Sequence, residues 1–247
     1  MKHVAVILSL ALSTMTSAQA VELKLIAGGS LAGLLKELGP DFEKATGHKL
    51  AIHFDSTPNI IARINSGTPF DLAVVPVDVF KDVTAKRHFA PGPMVDIARV
   101  GYGVIVRSGA PKPDISTPDA FRKALLDAKS IASVPASAAG AYIAKVYERL
   151  GIAEDLKAKT RAQSAPSDIA PAVAKGEAEL GIFLTNVLNA AGVELVGPFP
   201  ADLQQELLFS AAVAADSEET DAAKAFIDYL RAPAVTAAIK AAGLNLP

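Results

Sequence analysis

Four short stretches of the sequence carry residues suited to anion chemistry. They are Gly28-Gly29-Ser30, Asp55-Ser56-Thr57-Pro58-Asn59, Ser133 to Gly140 (SVPASAAG), and Ser164-Ala165-Pro166-Ser167-Asp168. Each stands just before an apolar pattern of helical spacing. Each places hydroxyls, amides or small residues at what would be a helix N-terminus. The first N–H groups of a helix have no intrahelical acceptor, and the macrodipole adds about half a positive charge there. Several such ends brought together would seat an oxyanion with no basic side chain at all. Ser, Thr, Asn and Asp are also ordinary N-caps, and capping alone accounts for any one junction. Two junctions in each half of the chain are what a two-sided cleft would require.

Other chemistries find less support. The four histidines are His3, His48, His53 and His88, spread without cysteine or carboxylate partners in metal-ligand spacing. His53 is expected on the polar face of a strand, and no metal site is expected. A ferric centre would want paired tyrosines, and the spacing of Tyr102, Tyr142, Tyr147 and Tyr229 shows none. There is no Gly-x-Ser-x-Gly, no phosphate loop and no GxGxxG order. Ser30 as a nucleophile would need a base, and no suitable histidine is evident. No catalytic residue and no cofactor are expected.

The elements that must position these junctions alternate. Val21 to Ala27, Lys49 to Phe54 and Asp71 to Val75 are predicted strands. Between them, Leu31, Leu34, Leu35, Leu38 and Phe42 mark one buried helix face, and Ile60, Ile61 and Ile64 a second. Pro40 inside the first pattern predicts a kink or break, and Gly47 an ordinary helix end. After a turn-rich patch at Phe89 to Pro93, strands are expected at Tyr102 to Val106, Ser130 to Val134, Leu180 to Leu184, Val193 to Val196 and Leu207 to Ala214. Helices are expected from Thr117-Pro118, over Ala139 to Leu150 and Ile169 to Ala174, and at the end over Asp221 to Leu230 and Ala234 to Ala241. This alternation favours parallel sheet covered on both faces by helices.

The ends and composition bound the class. Lys2, the apolar run Val4 to Leu12 and Ala18-Gln19-Ala20 fit a secretory signal peptide, residues 1–20, cleaved after Ala20. The run is short of the roughly 20 apolar residues a spanning helix needs. The chain has 247 residues and no cysteine, so packing alone must hold it. Its net charge of −2 argues against a nucleic-acid partner, which asks for a basic patch. At 51% apolar residues, a large core is available.

With these pieces in order, the sequence resembles the periplasmic substrate-binding proteins of ABC transporters, in the branch of the molybdate-binding proteins. The resemblance rests on Gly28-Gly29-Ser30-Leu31 after the first strand, on Phe54 with Ser56-Thr57, and on Thr68-Pro69-Phe70-Asp71-Leu72. It continues with Gly176-Glu177-Ala178-Glu179-Leu180-Gly181-Ile182 and the tail Ala223 to Leu230 with Pro233 and Gly243-Leu244. It implies two α/β lobes joined by two crossing segments, with a ligand cleft between them, the type 2 periplasmic binding protein fold. The first lobe would hold residues 21–98 plus 215–247, and the second 99–214. Crossings are expected near Ala98 to Gly101 and Val213 to Asp216.

The resemblance also implies ligand residues: Gly29, Ser30, Ser56, Thr57, Asn59, Ala139, Gly140 and Ser167, the last contact falling near Pro166 and Ser167. Ser30 would cap the first helix while facing the cleft. The family's tyrosine donor after the Gly-Glu-Ala strand is replaced by Leu184. Asp55, beside the hydroxyl pair, would repel a dianion if it faced the cleft, or would cap the Ile60 helix if it faced away. The implied ligand is a small oxyanion, molybdate or tungstate first, bound as an oxyanion and not as a metal ion. The alternatives are a small organic solute and, behind it, an enzyme or sensor on the same scaffold. The implied partner is a membrane permease, the location periplasmic, and the protein a monomer.

Overall fold

The computed structural model describes residues 20–247; the expected signal segment lies outside them apart from Ala20. Ten strands build two five-stranded sheets. They are β1 (Glu22–Gly28), β2 (Lys49–Asp55), β3 (Leu72–Pro76), β4 (Val95–Val100), β5 (Tyr102–Arg107), β6 (Ile131–Ser133), β7 (Thr160–Ala162), β8 (Leu180–Leu184), β9 (Val193–Pro198) and β10 (Leu207–Val213). The first sheet has the order β2-β1-β3-β10-β4 and the second β7-β6-β8-β5-β9. The helices are α1 (Ala32–Thr46), α2 (Thr57–Asn65), α3 (Pro118–Asp127), α4 (Ala138–Arg149), α5 (Ala153–Lys157), α6 (Ile169–Ala174), α7 (Thr185–Leu188), α8 (Thr220–Arg231) and α9 (Thr236–Ala241).

Both sheets are mixed, where the alternation of elements predicts parallel ones. β1 runs parallel to β2 and β3, but β10 runs antiparallel to β3 and β4. In the second sheet β6 is parallel to β7 and β8, and β5 is antiparallel to β8 and β9. The antiparallel strands are those that pass directly between lobes. No crossover helix turns the chain round before β5 or β10, so each enters its sheet from the opposite end.

The pairing of β10 also corrects the expected return crossing. Leu207–Val213 is hydrogen-bonded between β3 and β4, so it belongs to the first sheet. The chain returns at residues 199–206, ahead of β10, and not at Val213 to Asp216. The segment after β10 is already anchored in the first lobe, with Ala214 N–H donating to Asp71 O at 2.8 Å. Apolar alternation identifies a strand but not the sheet it joins. The two crossings are tied by one side chain: Gln204 Oε1 accepts from Tyr102 N–H and its Nε2 donates to Tyr102 O, both at 2.9 Å.

The core follows the two periodicities. Leu23, Leu25 and Ala27 of β1 face α1 and α8, where Phe42 and Phe226 meet edge to face at 4.9 Å between centroids. Ile26 points to the opposite side, into a cluster with Ile60 and Ile64 of α2. α1 is one continuous helix through Pro40, so of the expected kink or break no break occurs. Pro40 and Lys36, whose carbonyl the proline ring displaces, both lie on the exposed side, where that carbonyl faces solvent. Leu34, Leu35, Leu38 and Phe42 hold the inner side. Gly47 ends the helix with φ 80°, and its N–H donates to Glu43 O at 2.8 Å.

α3 starts as its sequence predicts. Thr117 Oγ1 accepts from Ala120 N–H at 3.1 Å, and Pro118 occupies the first helical position. Thr117→Ala should therefore cost about 1 kcal/mol. In a chain of this length that is a fall in melting temperature of roughly 2–4 °C, readable by calorimetry. An unchanged melting temperature would show that the cap is dispensable.

Candidate functional site

The two sheets present the ends of β1, β2, β6 and the segment after β7 to one another. β1 ends at Gly28, where an added Cβ would lie 3.1 Å from the Phe209 ring and 3.2 Å from Pro76. Glycine lets the chain pack closely there against β10 and β3, where a larger residue would press on both rings. A 3-10 turn, Gly29–Leu31, follows and leads into α1. Opposite it, Pro166 of the second lobe approaches so closely that a Cβ on Gly29 would sit 3.5 Å from its ring.

These ends enclose a cavity of about 20 Å³, enough for roughly one water. Gly29, Ser30, Ser56, Thr57 and Ala139 all line it, with Ser137, Ala138 and Pro166. Of the roomier hollows, two of about 500 and 680 Å³ flank the outer edge strand β4 and include no residue of the four junctions, while a third of about 510 Å³ lies on the far side of α4 and is lined in part by Ser133, Pro135 and Gly140. Among the described lining residues of the small cavity there is no Lys, Arg or His. Donors come instead from helix starts. Thr57 opens α2 and Ala138-Ala139 opens α4, so their N–H groups have no acceptor within their own helices. The opposite wall is apolar: Pro76, Phe183, Leu184, Leu207 and Phe209.

Three expected ligand residues lie elsewhere. Asn59 is exposed, and its Nδ2 donates to Asp55 Oδ1 at 2.7 Å. Gly140 is buried behind the cavity, where its N–H donates to Ser137 Oγ at 2.9 Å. Ser137 is the cap of α4, and its hydroxyl also donates to Val134 O at 2.7 Å. Ser167 is exposed, and its neighbour Pro166 faces the cavity in its place. At Gly140 and Ser167 the preceding residue, Ala139 or Pro166, lines the cavity instead; at the α2 start the lining residues are Asp55, Ser56 and Thr57. The hydroxyl of Ser30 caps nothing: the turn starts at Gly28 with no side-chain hydrogen bond.

The orientation of Asp55, open in the sequence, is defined by three partners. Its carboxylate accepts from Ser56 N–H and Asn59 Nδ2, each at 2.7 Å, and lies 3.4 Å from His53 Nε2. It therefore serves the first turn of α2, and the Ser56 N–H is committed to it, while Asp55 is also one of the residues that line the cavity. His53 has the carboxylate partner that sequence spacing did not reveal. Tyrosines also meet unexpectedly: Tyr102 and Tyr142 lie 4.7 Å apart between ring centroids. Burial raises the pKa of both phenols, and Tyr142 Oη donates to Leu203 O at 2.7 Å. They are neutral packing groups beside the crossings. Among the described residues, no cluster of three or more His, Cys, Asp or Glu side chains forms a metal site. No described helix is long and apolar enough to cross a membrane.

The contact that sequence reasoning missed is Asn186, in α7. Its Nδ2 donates to Ser30 O at 2.8 Å across the lobes. A second bond crosses the same gap, from Ala138 N–H to Thr57 Oγ1 at 3.3 Å.

A two-lobed α/β fold with uncharged helix starts facing across a cleft agrees with what comparison finds. Residues 23–245 match the family described as "Bacterial extracellular solute-binding protein". The chain belongs to this family. Among relatives of this solute-binding protein, an aconitate isomerase of Pseudomonas sp is 34% identical over 246 residues, covering 96% of this chain and 93% of that one. The molybdate-binding protein ModA of Azotobacter vinelandii is 28% identical over 236 residues, covering 93% and 92%. The solved structure of the Azotobacter vinelandii periplasmic molybdate-binding protein superposes with a TM-score of 0.75 at 24% identity, over 91% of this chain and 99% of that one. That solved structure establishes the shared two-lobe fold of the solute-binding protein.

Proposed function

We propose that the protein works outside the cytoplasm, captures a small oxyanion between its lobes and delivers it to an ABC permease. Molybdate or tungstate is the leading ligand. The observation that carries this reading is the gathering of helix N-termini from both lobes around a small cavity whose described lining has no basic side chain. Such donors suit a fully ionised anion, because they are fixed, neutral and already oriented. The first lobe is proposed to span residues 21–100 with 207–247, and the second 102–198. Ser30, Ser56, Thr57 and the N–H of Ala139 are the proposed ligand contacts.

One observation favours a second reading, a small organic acid as ligand or substrate. The wall with Phe183, Leu184 and Phe209 has nothing to donate to a tetrahedral oxyanion, and would meet a carbon skeleton only with the lobes further apart, since the cavity admits roughly one water. The relative named aconitate isomerase supports the same direction. Calorimetry with molybdate, tungstate and sulfate, and with cis- and trans-aconitate, separates the two. The expected result is saturable binding of molybdate or tungstate. Binding of aconitate alone, or its interconversion followed by NMR, would replace the oxyanion reading with the second.

A further inference from the structure

The two hydrogen bonds that span the cleft differ in what they use. The bond from Ala138 N–H to Thr57 Oγ1 engages a helix-start donor, the kind of group an anion would claim. The bond from Asn186 Nδ2 to Ser30 O engages a carbonyl, which an anion cannot use. It joins the second lobe to the backbone of Ser30, a residue that lines the cavity, yet takes nothing from the donor set. The other end of the carboxamide points to the same role. Asn186 Oδ1 is buried without a partner, so the amide's only protein contact of this kind is the one it makes to Ser30. A flipped carboxamide would set oxygen against oxygen at that contact, so the donor must face Ser30. Asn186 also lies close to Gly243 of the first lobe, where an added Cβ would come within 3.3 Å of Asn186 Cα.

We propose that Asn186 is a positioning residue that latches the two lobes closed over the anion seat through the Ser30 carbonyl, without competing for the ligand. This rests on the binding reading above for the seat, but the latch is a property of the protein alone. It acts by stabilising the closed arrangement, so it would slow release of whatever anion the seat holds.

The test uses the absence of native cysteine. Exposed Glu37 in α1 and Lys145 in α4, each replaced by Cys, carry a pair of spin labels that report the distance between lobes. Without any added anion, Asn186→Ala should shift the distance distribution toward longer values than the parent, and Asn186→Asp further, because a carboxylate cannot donate and faces the Ser30 carbonyl. For molybdate or tungstate, Asn186→Ala should raise the dissociation rate about tenfold. Circular dichroism and the melting temperature check that both variants fold. Identical distance distributions in parent and variants would overturn the latch. If no anion binds the parent, the distance measurement still decides on Asn186, and the failure falls on the binding reading instead.

Discussion

Gly140→Ala is expected to lower the melting temperature by roughly 6–12 °C, from about 3 kcal/mol of lost stability. A Cβ on Gly140 would lie 2.2 Å from Val134 O and 2.4 Å from Pro135 O. Both are backbone atoms, and no flexible side chain can yield in their place. Relief requires α4 to move away from the chain that precedes it. That movement breaks the local cap, in which Ser137 Oγ accepts from Gly140 N–H and donates to Val134 O. It also carries Ala138 and Ala139 out of the cavity they line. The variant should therefore lose anion affinity along with stability. Gly33→Ala in α1 is the control, because an added Cβ there meets nothing within 4 Å. Alanine at a helical glycine with free space raises stability by about 0.5–1 kcal/mol. Equal melting temperatures for Gly140→Ala and the parent would show that the close approach is not required.

The same residue shows where sequence reading succeeds and where it stops. SVPASAAG marks a helix start from its composition, and α4 begins there. Whether Gly140 or Ala139 faces the cleft depends on rotation about the helix axis, at about 100° per residue. Composition does not specify that rotation, so it does not distinguish Gly140 from Ala139, or Ser167 from Pro166, as the residue that lines the cavity. Helices and strands with clean periodicity were legible nearly to the residue, as at Leu180–Leu184 and Ile169–Ala174. β4 was not, because Asp96 and Arg99 interrupt its apolar pattern. β10 was legible as a strand but not as a member of the first sheet, since its partners are set by two crossings more than a hundred residues apart. Asp55 is a further case. Its charge was visible, but its bonds to Ser56, Asn59 and His53 depend on the turn from β2 into α2. Asn186 gave no signal at all, because its partner Ser30 is 156 residues away.

Ser30→Asp is expected to weaken binding of a divalent oxyanion by about a thousandfold. The donors of the proposed seat are neutral, and Ser30 lines the cavity with no side-chain capping bond to make. Asp55 lines it too, but its carboxylate is engaged by Ser56 N–H and Asn59 Nδ2, partners a carboxylate at position 30 would lack. A carboxylate at this position would face the ligand at close range inside a cavity of about 20 Å³, where solvent screens little. At about 4 Å and an effective dielectric near 20, two like unit charges repel by about 4 kcal/mol. That corresponds to about three decades in the dissociation constant. Size must be separated from charge, so Ser30→Asn is the matched variant, nearly the same shape and neutral. It should retain most of the affinity that the hydroxyl does not itself supply. The contrast between the two variants identifies the ligand class. An anion loses far more with Asp than with Asn, while a neutral solute loses similar amounts with both. Calorimetry of both variants with molybdate and tungstate reads the difference directly. Equal affinities for Ser30→Asp and Ser30→Asn would remove Ser30 from the seat, whatever the protein binds elsewhere.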